Sequence, residues 1–201
     1  LDRDGTIIYE GNRMALAMAI QEAQHGQSVA MKLWRAGKEE SVALPVEVSG
    51  VDKVLGNQYD VPPRYFVYAG LVFTPLSLDY LKTFGRTWSD TAGAGLAYEL
   101  FYRRHEAPQT VRSEPIVLSM VLADAVNANF HTRGRALLDK INGIRIERLE
   151  DVIRAFESPA NGQHVIEFMP KNTIECLERA DADKANAAIL KTYGITKDRR
   201  L

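Results

Sequence analysis

The chain has 201 residues, 46% of them hydrophobic, enough for one or two domains with a buried core. Its formal charge of -1 gives no electrostatic reason to expect DNA, RNA or an anionic membrane surface as partner. No apolar run approaches the length that spans a bilayer, and the single cysteine, Cys176, excludes an intrachain disulfide.

Along the chain, Asp4-Gly5 reads as a turn and Thr6-Ile7-Ile8-Tyr9 as a short extended piece. A helix is expected over residues 13–24, with Met14, Leu16, Ala17, Met18 and Ile20 on its apolar face and Gly26 as its stop. Val29, Met31 and Leu33 alternate with Ala30, Lys32 and Trp34, the period of a half-buried strand. Gly37-Lys38 turns the chain, and residues 41–46 return as a second strand. Residues 49–63 are polar, poorly periodic and closed by Pro62-Pro63, which reads as a connector.

Residues 64–73 give a dense strand signal interrupted at Ala69-Gly70, where a bulge or a close backbone approach is expected. Pro75 limits that strand, since proline donates nothing to a ladder. Helices are expected over 78–84 and 95–104; the second carries Leu96, Glu99, Leu100 and Arg103 with Tyr98, Phe101 and Tyr102 beside them. Such an aromatic surface either tucks against a sheet or serves subunit contact. A strand over 115–122, a loop over 123–133 and a strand over 136–141 lead to Asn142-Gly143, whose tolerance of positive φ suits a tight turn. Leu149, Val152, Ile153 and Phe156 form one apolar helical stripe, with Glu150, Asp151 and Arg154 on the wet side. Asn161-Gly162 breaks that helix, and Val165, Ile166 and Phe168 read as a strand. Residues 173–177 form another, with Cys176 as a small buried hydrophobe. A last helix is expected over about 184–193, capped by Asp181 or Asp183 and stopped by Gly194.

Catalytic patterns are missing from the sequence. There is no G-x-S-x-G elbow and no phosphate loop, and Gly93-Ala94-Gly95 lacks the third glycine of a dinucleotide fingerprint. His25, His105, His131 and His164 stand apart, without paired spacing for zinc. Glu10, Asp124 and Asp139 are scattered and read as turn or surface carboxylates. No catalytic residue, metal site or cofactor is expected.

One order of elements occurs twice: an N/D-G turn, an amphipathic helix, a small-polar break and a strand running into a charged turn. The copies begin at Asp4-Gly5 and Asn142-Gly143. A single copy fits a generic α+β unit, but two copies in the same order resemble the second half of a PDZ domain written twice. The expected fold class is therefore α+β and PDZ-like, a small antiparallel, partly open barrel or sandwich capped by helices, with a helical insert in the second domain. Residues 1–48 would be the C-terminal part of a first PDZ domain, 49–63 a linker, and 64–201 a second, expanded domain. The chain starts at Leu1 in what reads as mid-domain, so a fragment or processed product is expected.

Residues 57–76, with Tyr68-Ala69-Gly70-Leu71-Val72-Phe73-Thr74-Pro75-Leu76 at their centre, resemble the start of the second PDZ-like domain of Deg/HtrA-type serine proteases, in the branch known from plant organelles and bacteria. The likeness continues through Tyr80-Leu81, Trp88, Val117-Leu118-Ser119 and Asn142-Gly143 to the helix around Ala187-Ala188-Ile189. It implies the non-catalytic regulatory, peptide-docking and assembly region of an ATP-independent endopeptidase, with none of the family's triad residues present. The implied partners are protein C-termini or internal strands, the protein's own protease domain and further subunits in a homo-oligomer. The implied compartment is the periplasm for a bacterial member or an organelle lumen for a eukaryotic one. The peptide groove would comprise the carboxylate loop Tyr68, Ala69, Gly70 and Leu71, strand residues Val72 and Phe73, and the helix face Leu149, Val152, Ile153 and Phe156. A free-standing adaptor for protein C-termini is the alternative.

Overall fold

The structure, a computed structural model, describes residues 2, 4–46, 58, 60–88, 94–131, 134–158 and 162–201. Most of the expected linker over 49–63 lies outside them, as do Ser89, Asp90, Gly93, Thr132, Arg133 and Asn161. The chain divides into two compact units, Leu1–Asp52 and Lys53–Leu201.

In the first unit, β1 (Thr6–Tyr9) pairs antiparallel with β2 (Asn12–Ala15), and α1 (Leu16–Gln21) follows directly. The helix is thus shorter than its apolar pattern implies. Glu10 and Gly11 both take positive φ, 49° and 81°, so a hairpin turn draws residues 12–15 into a ladder before the helix begins. β3 (Ser28–Arg35) and β4 (Lys38–Pro45) form a second hairpin around Ala36-Gly37. Among the described residues of this unit none is buried, and Trp34 is 76% exposed.

The second unit is built on an open sheet. Its strands are β5 (Tyr65–Tyr68), β6 (Leu71–Pro75), β7 (Ile116–Val121), β8 (Ala136–Ile141), β9 (Ile144–Arg145), β10 (Gln163–Met169), β11 (Thr173–Glu178) and β12 (Arg199–Arg200). They pair in the order β11-β10-β8-β7-β6-β5-β12, with β9 on β8, and every pair is antiparallel. Alternation sends Phe66, Tyr68, Leu71, Phe73, Ile116, Leu118, Leu138, Ile166 and Phe168 into the main core. There they meet α4 (Leu149–Glu157), the short helix that carries the apolar stripe. Leu149, Val152, Ile153 and Phe156 all lie in this core, and each such side chain contributes about 1.5–3 kcal/mol through burial.

Two layers cover residues of the opposite phase. α2 (Leu78–Lys82) and the helical segment α3 (residues 94–106) bury Leu81, Leu96 and Leu100 together with Val117 and Leu137. Within α3, residues Tyr98–Tyr102 form a π-helical turn, which turns Glu99 inward. Phe101 packs at the edge of this cluster while Tyr102 stays exposed, so the aromatic surface is divided between core and solvent. Farther along the sheet, α5 (Arg179–Thr192) brings Ile189 against Val67 and Leu122. This helix starts directly after β11, five residues earlier than its capping carboxylates imply. Cys176, expected to be buried, is exposed, because only Leu177 of its end of β11 faces inward.

Candidate functional site

The segment read as a carboxylate loop lies between β5 and β6. Of the bulge or close backbone approach expected here, the structure has the close approach, Gly70 against the Leu122 carbonyl, and Ala69 and Gly70 have φ of 47° and 83°, a two-residue turn with both central residues left-handed. Residues 65–75 are consequently a hairpin, two strands joined by that turn. Phe66 pairs with Phe73, Val67 with Val72 and Tyr68 with Leu71, while β7 takes the other edge of β6. Both edges of β6 are therefore filled by the chain itself. The far edge of β5 is also occupied, by Arg199 opposite Phe66 and Arg200 opposite Tyr65.

The turn itself is held by side-chain amides. The Ala69 N–H donates to Asn186 Oδ1 on α5 at 2.9 Å. Asn127 Nδ2 donates to the carbonyls of Ala69 and Leu122, each at 2.8 Å, and its Oδ1 accepts from the Asp124 N–H at 3.0 Å. Gly70 is buried under this bracket. A Cβ there would lie 2.4 Å from both Asn127 Nδ2 and Leu122 O. Gly70→Ala is expected to cost about 2–3 kcal/mol, combining overpacking with left-handed strain, and urea unfolding checks it. A cost below roughly 0.5 kcal/mol would mean that the turn opens freely.

Of the residues proposed for the groove, Tyr68, Ala69, Leu71 and Phe73 are brought together with Leu149, Val152, Ile153 and Phe156 in one core, with Gly70 buried at the turn. Val72 points to the other face, toward the α5 layer. The Phe156 ring sits 4.6 Å from Tyr68, 5.7 Å from Phe73 and 6.1 Å from Phe66, centroid to centroid, so α4 lies directly on β5 and β6.

Beside this contact is a buried polar chain that pattern reading missed. His164, fully buried, stands 3.3 Å from Tyr68 Oη through Nε2 and 3.0 Å from Asn142 Nδ2 through Nδ1. The Tyr68 hydroxyl donates to Asp183 Oδ1 at 2.7 Å. Burial, with Asp183 as acceptor and charge, pushes the Tyr68 phenol well above its ordinary value. Asp151 is another surprise. Instead of lying on the wet side it is buried, accepting from the Glu147 and Arg148 N–H groups at 2.9 and 3.2 Å and from Arg154 at 2.7 Å. Asp139, read as a surface carboxylate, pairs with the buried Arg112.

An apolar cavity of about 610 Å³ opens on α3 and β8, lined by Trp88, Tyr98, Phe101, Leu137, Met169 and Pro170. It brings together contact surface and no acid–base set. Among the described residues no group of His, Cys, Asp and Glu is arranged to hold a metal ion, and no helix is long and apolar enough to cross a membrane.

The sequence profile of the PDZ domain family matches residues 54–200, the sheet and helices just described. Among curated relatives, Protease Do-like 2, chloroplastic, from Arabidopsis thaliana is 30% identical over 200 residues, covering 98% of this chain and 31% of that protein. Protease Do-like 4, mitochondrial, from the same plant is 25% identical over 169 residues, covering 84% of this chain and 29% of that protein. The chain thus spans about a third of the length of the curated relatives it matches. It belongs to the PDZ domain family, as a PDZ region of the kind found in the Do-like proteases.

Proposed function

We propose that this chain is the regulatory, protein-docking and oligomer-assembly region of an ATP-independent Deg/HtrA-type serine endopeptidase, with hydrolysis carried out by a separate domain. Residues 1–48 would serve as the C-terminal part of a first PDZ domain and residues 64–201 as a second, expanded one. One observation carries the reading: β6, the strand that would receive a peptide by β-addition, has β5 on one edge and β7 on the other. Phe66 and Tyr68 of β5 lie against Phe156, the place a ligand's side chains would take. Leu71 and Phe73 of β6 and the α4 face Leu149, Val152, Ile153 and Phe156 therefore form a groove held closed by the chain's own strand. A peptide reaches them only once β5 has left. An adaptor that selects free C-termini needs an open edge, so the closed hairpin favours regulation and assembly.

Fluorescence anisotropy with a library of labelled C-terminal peptides, paired with sedimentation of the same chain, tests this. The expected result at pH 7.5 is a folded, self-associating chain with no saturable peptide binding. Saturable binding of a peptide would overturn the closed edge, a strictly monomeric chain would overturn the assembly role, and casein hydrolysis by the chain alone would overturn the separate catalytic domain.

A further inference from the structure

We propose that His164 is a proton-operated latch that ties α5 to the β5–β6 turn and releases it when the imidazole takes a second proton. The inference rests on the closed-edge reading above and adds the regulation of that edge.

The hydrogen-bond directions are fixed by their neighbours. Asn142 Oδ1 accepts from the Val165 N–H at 2.9 Å, and one hydrogen of its amide goes to the Ala155 carbonyl at 2.9 Å. The other hydrogen points to His164 Nδ1. Rotating the amide end for end would set Nδ2 against an N–H and Oδ1 against a carbonyl, so Asn142 can act on Nδ1 only as a donor. His164 is therefore neutral, with its proton on Nε2, which faces Tyr68 Oη. The Tyr68 hydroxyl then passes its own hydrogen to Asp183. A second proton on Nδ1 would set donor against donor inside a buried site.

Every element packed on the ring contributes. β5 supplies Tyr68. α4 supplies the Phe156 ring, 4.9 Å away and edge-on, and the β11 partner is Leu177. α5 supplies two charges, Asp183 and Arg179, themselves 3.6 Å apart. Burial, then the Arg179 charge, hold the imidazole below its ordinary value of 6.5, with Asp183 opposing them. The sign follows directly. The form with α5 released, its imidazole solvated, takes up the proton near 6.5, while the latched form does so only at lower pH. The latch is therefore complete above that value and loses up to about tenfold in population per pH unit below it.

The α5 side yields first. Asp183 has 55% of its side chain exposed, and only Ala182 and Ile189 of this helix are buried. Asn142 and Ala155, by contrast, are anchored at the main core. Release of α5 withdraws Asn186 Oδ1 from the Ala69 N–H and frees the backbone donor nearest the closed edge.

The test is made on the whole chain. Nitrogen NMR of the imidazole at pH 7.5 is expected to show the Nε2–H tautomer, with titration below 6.5. Amide-exchange protection, corrected for intrinsic rates, is expected to fall up to about tenfold per pH unit for residues 179–192 and Ala69, while Leu137 and Leu138 of β8 hold theirs. His164→Gln should abolish that slope. Asp183→Asn, which keeps an acceptor for Tyr68, should retain it. The Nδ1–H tautomer, a flat profile, or equal loss across the whole sheet would overturn the latch. If His164→Gln does not fold, the imidazole spectrum of the unmodified chain still decides. Peptide binding at pH 7.5 would sink the closed edge instead, so the two failures are distinguishable.

Discussion

Arg112→Ala is expected to destabilise the second unit by about 3–5 kcal/mol, the cost of removing one partner from a buried ion network. Arg112 has 4% of its side chain exposed. Its Nε donates to the Ile146 carbonyl at 3.0 Å, one terminal nitrogen pairs with Asp139, and the other lies 3.7 Å from Glu99 Oε1. Glu99 has 1% of its side chain exposed, pairs with Arg103 through its second oxygen, and has no hydrogen-bond partner for Oε1. The guanidinium is thus the charge that ties the π-helical turn of α3 to β8 and to the chain entering α4. Without it, Glu99 and Asp139 lose the cation they share, while Arg103 still pairs with Glu99. Arg112→Met should cost nearly as much, because shape is restored but charge is not. Adding Asp139→Asn and Glu99→Gln to Arg112→Met should recover most of the loss. Urea unfolding measures all three. A cost below about 1 kcal/mol for Arg112→Ala would show that water already reaches the network.

How far the sequence carries depends on whether a residue's partner is near in the chain. The α4 stripe is legible because helical spacing places Leu149, Val152, Ile153 and Phe156 on one side whatever they pack against. The strand at 64–73 is half legible. Its apolar run contains no polar break, and alanine at a left-handed position gives no turn signal, so only Gly70 marks the place where the chain reverses. Asn142-Gly143 announces its turn through φ, but the grip of the Asn142 side chain on Ala155, Val165 and His164 needs the folded sheet. Asn186 reaches a backbone N–H 117 residues away, and Asn127 a carbonyl 58 residues away; no local pattern distinguishes either from a surface amide. Asp151 looks wet on a helical wheel yet turns back onto the N–H groups that begin its own helix. In the first unit, apolar spacing alone starts the helix at Arg13, but the ladder from the Glu10-Gly11 turn takes residues 12–15.

Phe156→Ala is expected to cost about 3–5 kcal/mol, in the range for a buried aromatic replaced by alanine. The ring is 5% exposed and meets Phe66, Tyr68, Phe73 and His164, so one side chain joins α4 to β5, β6 and β10. Phe156→Leu, which keeps much of the volume, should cost less than half as much. Stability alone would not separate a core role from a clasp on β5; exchange of the β5 amides does. These are held by β6 on one side and by β12 and Asp198 on the other, through the Val67 N–H to Asp198 O bond at 2.7 Å. Loss of the ring removes the α4 contact that presses β5 onto the core but leaves the ladders intact. Phe156→Ala should therefore lower protection in residues 65–68 more than in β10, and the variant should bind C-terminal peptides that the unmodified chain does not. Equal loss in β5 and β10, with no peptide binding, would assign Phe156 to the core alone and place the restraint on β5 in its hydrogen-bonded neighbours, β6 and β12.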